Sequence, residues 1–210
     1  MTVRRKPQIS SRKQPKQSRS TGLVAAVLEA AVQVLAKEGA QRFTMARVAE
    51  KAGVSVGSLY QYFPNKAAIL FRLQSDEWRE TTELLSAILK DTEKPPLERL
   101  RILVHAFIRS ECEEAAVRVA LEDTAPVYRN APEAEEAKAS GGLTIQVFLQ
   151  EVLPNTAEAT RVLAGELIRT TLSAVGTQFS EAARTPEEIE AYADAMADMF
   201  SAYIRALEHG

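Results

Sequence analysis

Apolar residues in the first part of the chain recur every three or four positions, which is the period of an amphipathic helix. The first such stretch runs from about Thr21 to Lys37, and a second covers Met45 to Ala52. A third runs from Val56 to Phe63 and should end at Pro64, because proline cannot continue a helix. A fourth begins near Asn65 and extends to Lys90, which gives a helix about 39 Å long at 1.5 Å per residue.

Helical patterns continue to the end of the chain, and no alternating apolar and polar pattern typical of strands interrupts them. Turn signals rich in proline and asparagine separate most of these segments. We predict helices at 97–112, 114–123, 132–152, 156–181 and 186–207. The pair Gly141–Gly142 should kink or divide the third of these. The fold class predicted from this pattern is all-α.

The break between the second and third helices has the spacing of a helix-turn-helix. Thr44 and Ser55 stand where their hydroxyls can cap the two helices. Gly53 follows the second helix and can adopt the left-handed conformation that turns the chain. Ala49 is small enough to let the helices approach, and Leu59 fills the angle between them.

The third helix carries more hydroxyls, amides and aromatic rings than a hairpin that only packs would need. These groups belong to Ser55, Ser58, Tyr60, Gln61 and Tyr62. A helix in the major groove of DNA reads base edges with such donors, acceptors and apolar surfaces. The pattern therefore favours DNA recognition over a purely structural hairpin, although Leu59 and Phe63 are expected only to pack.

The segment from Leu23 to Leu70 resembles the DNA-binding domain of the tetracycline-repressor (TetR) family of bacterial transcription factors. Its most specific part is GVSVGSLYQYFPNKAAIL. The resemblance implies a three-helix DNA-binding domain with a helix-turn-helix, followed by a larger helical ligand-binding and dimerisation domain. We expect the DNA-binding domain at 21–66 and the larger domain at 67–210. In this family the last two helices of each subunit form the dimer interface, which would correspond to 156–181 and 186–207.

Matching the motif of the family assigns roles to individual residues. Tyr60 would meet a thymine methyl group or a phosphate, and Tyr62 and Lys66 would hold the DNA backbone. The complete set of predicted DNA-binding residues is Thr44, Arg47, Ser55, Ser58, Tyr60, Gln61, Tyr62 and Lys66. The chain departs from the family pattern at Val56 and Gly57, where many members place a polar or basic residue. Base recognition should therefore depend on the other residues of the helix, on DNA shape and on the N-terminal segment.

The charge is divided unevenly between the two ends of the chain. Residues 1–70 hold 12 Lys and Arg against 3 Asp and Glu, a net of +9, whereas residues 71–210 carry a net of −11. Such an uneven distribution of charge indicates that the N-terminal part of the chain binds a polyanion. Residues 1–20 contain seven basic residues and no acidic one, so we expect a disordered arm that contacts DNA. An inert tail and a targeting segment are the alternatives.

The second domain contains surplus apolar residues on its last two helices, among them Leu172 and Met199, which predicts a dimer interface. His105, Arg109 and Cys112 fall at i, i+4 and i+7 on one helix. This spacing is typical of an ordinary partly buried helix face, and it also fits a polar patch in a ligand cavity. In the second interpretation the cavity is lined by Trp78, His105, Arg109, Cys112, Tyr128, Phe148 and Arg169.

Composition and motifs exclude several other functions. One Cys and two His cannot form a His/Cys metal cluster, and we expect no metal and no cofactor. The chain lacks catalytic triads and phosphate-binding loops, so it is not expected to be an enzyme. It also lacks an apolar run of membrane-spanning length, and we expect a cytoplasmic protein.

Three hypotheses follow from these observations. The favoured one is a homodimeric transcriptional regulator, a repressor released from a palindromic DNA operator by a small-molecule inducer. The second is a DNA-binding dimer that responds to no ligand, and the third is a helical enzyme with a targeting segment.

Overall fold

The computed structural model describes residues 18–122 and 132–208, with side chains over 22–120 and 139–208. Within these ranges the backbone forms eight α-helices and one 3₁₀ turn, and no strand, so the all-α prediction is confirmed. The elements are α1 Ser18–Glu38, the 3₁₀ turn Ala40–Arg42, α2 Met45–Lys51, α3 Val56–Tyr62, α4 Lys66–Lys90, α5 Pro96–Glu122, α6 Pro132–Val152, α7 Glu158–Phe179 and α8 Pro186–Glu208.

Two predicted breaks are absent. The helices predicted at 97–112 and 114–123 are the single helix α5, because Glu113 and its neighbours Glu114, Ala115 and Ala116 are good helix formers. The predicted division at Gly141–Gly142 is also wrong, since α6 is continuous through both residues. An interior glycine costs a helix only about 1 kcal/mol, which neighbouring residues can offset. At the other end of the chain, α1 begins at Ser18, three residues earlier than predicted.

The described residues divide into two compact units. The first comprises 18–77 and 116–122, and the second comprises 78–115 and 132–208. Helix α4 is therefore continuous from one unit into the other, and the first unit extends beyond residue 66. Residues 1–17, most of the predicted basic arm, lie outside the described ranges, and the proposed domain division stays a prediction.

The core of the first unit is built from the apolar faces that the sequence pattern predicts. On α1, the apolar residues Val24, Val27 and Ala31 are buried, and Leu28 is half-buried. The start of α4 is buried over the whole run from Ala67 to Phe71. The other large buried residues of this unit are Val34, Leu35, Phe43, Met45, Val48, Leu59 and Phe63.

The second unit has its own core, to which α4, α5, α6, α7 and α8 all contribute. Two glycines on α7 permit close helix contacts: a Cβ on Gly165 would lie 2.3 Å from Gln146 Nε2, and one on Gly176 would lie 3.0 Å from Phe107 Cε1. Leu172 lies on this packed side of α7 and is only 3% exposed. Its prediction as an interface residue is therefore wrong, because it belongs to the core of the subunit.

A buried arginine joins three helices of the second unit. Arg99 is 1% exposed, forms an ion pair with Glu151 of α6, and donates to the carbonyl of Leu89 at the end of α4. Its guanidinium lies 5.5 Å from the ring centre of Phe148, a distance at which cation–π attraction is favourable. These contacts offset part of the cost of burying the charge, although the Nε of Arg99 is buried without a hydrogen-bond partner.

Candidate DNA-binding surface

The first helix of the helix-turn-helix begins at a capping residue and ends in a glycine turn. Thr44 precedes α2, and its Oγ1 accepts a hydrogen bond from the backbone N–H of Arg47 at 3.3 Å. After α2, Gly53 has φ +67°, a left-handed conformation that strains any residue with a Cβ. The N–H of Val54 then donates to the carbonyl of Ala49 at 3.0 Å, which closes the turn. The local signals predicted from the sequence act here as expected.

Helix α3 begins with a hydroxyl cap and presents two different faces. The Oγ of Ser55 accepts from the N–H of Ser58 at 3.0 Å, and the two hydroxyl oxygens lie 2.8 Å apart. Leu59 and Phe63 are buried and hold the helix in place. The opposite side is exposed and consists of Val56, Gly57, Tyr60 and Gln61, which we call the reading face. Tyr60 is 43% exposed.

Two further predicted DNA-binding residues lie where α3 ends and α4 begins. Asn65 caps α4, because its Oδ1 accepts from the N–H of Ala68 at 2.9 Å. Lys66 is the first residue of α4 and Tyr62 is the last residue of α3, and both are half-buried. The short segment between them holds the two side chains at the end of the helix-turn-helix.

Arg47 has an intramolecular partner that the sequence did not reveal. Its guanidinium forms an ion pair with Glu38, the last residue of α1. Both side chains are partly exposed, so solvent screens the pair and its contribution to stability is small. A phosphate that contacts Arg47 would have to compete with the Glu38 carboxylate.

The structure places His105 and Arg109 in a row of polar contacts between α5 and α8. His105 Nδ1 lies 3.0 Å from a Glu190 oxygen, and its Nε2 lies 3.1 Å from Asp194. Arg109 donates to Glu190 at 2.8 Å. One turn before His105 on α5, Arg101 forms ion pairs with Asp194 and Asp198. Basic residues at i, i+4 and i+8 on one helix thus meet acidic residues at the same spacing on the other.

These contacts shift the pKa values of Glu190 and Arg101. Hydrogen bonding from Arg109, helped by the nearby His105, lowers the pKa of Glu190 below its ordinary value. Contact with Asp198 raises the pKa of Arg101. Sequence periodicity reveals both rows of charge, but it does not show that they face each other across about 85 residues of chain.

The other described residues predicted for a ligand cavity all lie in the second unit. Phe148 lies in the core beside Arg99. Cys112, Arg169 and Trp78 are half-buried in the second unit. Tyr128 lies outside the described residues. The assignment of these side chains to a ligand site stays a prediction.

No group of three or more His, Cys, Asp or Glu that could hold a metal ion occurs among the residues the structure describes. No helix within 18–122 and 132–208 is long and apolar enough to cross a membrane.

Two family models match the chain. Residues 27–73 match the model described as bacterial regulatory proteins, tetR family. Residues 95–207, more than half of the chain, match the model described as tetracyclin repressor-like, C-terminal domain. The first match contains the whole helix-turn-helix, and the second contains α5, α6, α7 and α8 except for the last residue of α8.

Individual proteins are similar over shorter stretches. The nucleoid occlusion factor SlmA of Vibrio campbellii is 36% identical over 92 residues, which are 43% of this chain and 46% of that protein. The transcriptional repressor KstR of Rhodococcus jostii is 29% identical over 122 residues, 58% of this chain and 56% of that one. The chain thus spans about half the length of the curated relatives it matches.

Structural similarity covers more of the chain. The transcriptional regulator FadR of Bacillus subtilis, solved in complex with stearoyl-CoA, superposes with a TM-score of 0.64 at 19% identity. The match covers 84% of this chain and 96% of that one, and at this identity it indicates a shared fold. The two family models, the helix-turn-helix and the helical second unit agree: the chain belongs to the TetR family of transcriptional regulators, which are DNA-binding proteins and not enzymes.

Proposed function

We propose that this protein is a homodimeric repressor that binds a palindromic operator and releases it when a small-molecule inducer binds. The observation that carries the proposal is the reading face of α3, an exposed strip of apolar, aromatic and amide groups held by a capped helix-turn-helix. As a member of a family of bacterial regulators, the protein would act in the cytoplasm, where the DNA lies.

The proposed contacts follow from the chemistry of each exposed group. Tyr60 would place its ring against a thymine methyl group or its hydroxyl on a phosphate, and Gln61 would pair with adenine or donate to a phosphate. Lys66 and Tyr62 would hold the DNA backbone, and Ser58 would contribute to base recognition. Thr44, Arg47 and Ser55 would lie near the backbone at the two helix starts. Phosphate contacts position the protein, whereas base contacts provide specificity.

A second copy of the chain is the proposed partner for the last two helices. On α7, the apolar residues Val162, Leu163 and Leu167 are exposed, and the first two line a shallow depression open to solvent. On α8, Met199 is 51% exposed, within a row of exposed alanines at helical spacing. That row comprises Ala191, Ala195, Ala202 and Ala206. TetR regulators are typically dimers, and a two-fold dimer would present two reading faces to a palindrome.

The proposed DNA-binding role of α3 is tested with variants of two residues that should weaken DNA binding in different ways. The probe is the duplex that the wild-type chain recovers from a random pool, called here the selected duplex. Tyr60→Ala should weaken binding to the selected duplex by about 1–3 kcal/mol. Lys66→Ala should weaken binding to all duplexes alike and reduce the salt slope by about one per subunit, because it removes one phosphate contact.

Lys90→Ala is the matched control, since it removes the same charge at the other end of α4, in the second unit. This variant should bind like the wild type. If Lys66→Ala changed sequence preference and Tyr60→Ala did not, the two roles would be reversed. If both variants bound as the wild type does, the proposed surface would be wrong.

The inducer proposal is tested with stearoyl-CoA as the first probe, because a protein of the same fold was solved with that molecule. Trp78 is the only tryptophan and lies in the second unit, so its emission can report binding there. An inducer should lower affinity for the selected duplex by about 5–150-fold, a typical coupling between sites. Linkage requires DNA to weaken inducer binding by the same factor. A ligand that binds tightly but leaves DNA affinity unchanged is not an inducer.

A DNA-binding dimer without a small-molecule ligand is the second candidate function. It is favoured by the 36% identity over 92 residues to a protein named a nucleoid occlusion factor, a name that mentions no small-molecule ligand. In that case operator binding should be insensitive to fatty acyl-CoA esters of every chain length tested. A reciprocal loss of affinity with any of them would exclude this candidate.

A further inference from the structure

One of the few acidic residues near the helix-turn-helix contacts a predicted DNA-binding side chain. Residues 1–70 hold 12 Lys and Arg but only three acidic residues, Glu29, Glu38 and Glu50. Glu38 forms an ion pair with the Nη1 of Arg47, which lies at the start of α2, where we expect a phosphate contact. Glu29 instead accepts a hydrogen bond from Gln33 on its own helix. The carboxylate of Glu38 is therefore placed to act on a DNA contact.

The ion pair joins two charges that are each unfavourable in their own helix. Glu38 is the last residue of α1, where the negative end of the helix dipole repels a carboxylate. Arg47 lies in the first turn of α2, where the positive end of the dipole repels a guanidinium. The side chains are 45% exposed for Arg47 and 29% exposed for Glu38, and a pair so accessible to solvent contributes little to stability. The fold thus has little need of a carboxylate at position 38.

The same carboxylate opposes contact between Arg47 and DNA. Arg47 must leave Glu38, or share its guanidinium with it, before it can bind a phosphate oxygen. An unpaired arginine that neutralises a phosphate releases a cation from the DNA, which favours binding. Arg47 gives no net release of this kind, because the carboxylate that it leaves attracts a cation in turn.

We propose that Glu38 limits the affinity of this protein for DNA by competing with the DNA backbone for Arg47. The inference rests on the proposed DNA-binding role of the first unit. A phosphate contact carries no sequence information, so the competition weakens binding to operator and random DNA alike. Glu38 therefore lowers affinity and salt dependence and leaves the preferred sequence unchanged.

The test compares Glu38→Gln with Glu50→Gln. Glutamine keeps the size of the side chain and an oxygen that can accept from Arg47, so only the charge is lost. Glu38→Gln should bind the selected duplex and a random duplex about 2–30-fold more tightly, as expected for two exposed ion pairs per dimer. Its salt slope should steepen by about one per subunit. Glu50→Gln removes the same charge from an exposed residue of α2, and its salt slope should match that of the wild type.

The variant Arg47→Gln separates competition for the arginine from a general effect of charge. In this background, Glu38→Gln should no longer steepen the salt slope, because no arginine at position 47 is left to bind a phosphate. An equal change of slope in both backgrounds would mean that the carboxylate only repels DNA, and it would overturn the inference. All variants should melt close to the wild-type temperature, since the ion pair is screened by solvent.

Two further results would contradict the inference. Binding of Glu38→Gln that overlaid the wild type at every ionic strength would show no competition, and weaker binding would mean that Glu38 orients Arg47 toward DNA. A wild-type chain that bound no duplex would contradict the proposed function, and the inference with it. A wild-type chain that bound every duplex equally would contradict only the operator, and the comparison on random duplex would still decide the inference.

Discussion

Replacement of Leu167 by alanine tests the proposed dimer with a magnitude that follows from burial. Leu167 lies on α7 and is 49% exposed in the subunit. Full burial of a leucine side chain contributes about 1.5–3 kcal/mol, so covering the exposed half would contribute about 1 kcal/mol. In a two-fold dimer the residue occurs twice. Leu167→Ala should therefore weaken dimerisation by about 2 kcal/mol, which is a rise of about 30-fold in the dissociation constant.

Two other leucines provide matched controls. Leu84 on α4 is similarly exposed, at 52%, but lies outside the proposed interface, and Leu84→Ala should leave the dissociation constant unchanged. Leu172 is buried in the subunit, so Leu172→Ala should lower the free energy of unfolding by about 2–5 kcal/mol. Sedimentation equilibrium over a range of concentrations measures dimerisation, and denaturant unfolding measures stability. If Leu167→Ala and Leu84→Ala gave the same dissociation constant as the wild type, the interface would lie elsewhere.

Three further outcomes are expected. Ser55→Ala removes the cap of α3 and should lower stability by about 1 kcal/mol in denaturant unfolding; an unchanged midpoint would contradict the role of the cap. The lowered pKa of Glu190 means that its ionised form stabilises the fold above pH of about 4.5 and that this contribution is lost on acidification. Glu190→Gln should therefore be less stable than the wild type at pH 7, and the difference should shrink as the pH falls below about 4.5; equal stability at pH 7 would contradict this. Removal of residues 1–17 should weaken DNA binding most at low salt, whereas identical curves at every ionic strength would mean an inert tail.

The helix-turn-helix could be predicted closely because its signals are local. The caps at Thr44 and Ser55, the turn at Gly53 and the stop at Pro64 each act within a few residues of their own position. Their effect depends on the backbone conformation of that residue and hardly at all on distant parts of the chain. The predicted and observed bounds of α2 and α3 therefore agree to within a residue.

The second unit was harder to predict because α7 has apolar residues on several sides. Leu167, Ile168 and Leu172 look alike in the sequence, yet the first is exposed and the other two are buried. Which side faces the core is decided by the approach of α5 and α6 at Gly176 and Gly165. Periodicity within one helix holds no information about that choice, and this is why Leu172 was wrongly expected at the interface.

The contacts between charged side chains on different helices could not be predicted from the sequence either. Arg47 with Glu38, and His105 with Glu190, are contacts set by how whole helices pack. The sequence showed the charged residues but not their partners. The ligand residues were the least predictable, since a cavity is formed by side chains from several helices whose relative rotation the sequence does not specify.

Selection of duplexes from a random pool by the wild-type chain, followed by measurement of the mass of the resulting complex, tests the central claim most directly. A dimer with two reading faces should recover a palindrome whose half-sites are separated by a whole number of helical turns. The complex should contain two chains per selected duplex at the lowest concentration that saturates it. Recovery of no preferred sequence, or of an asymmetric site bound by one chain, would contradict the account.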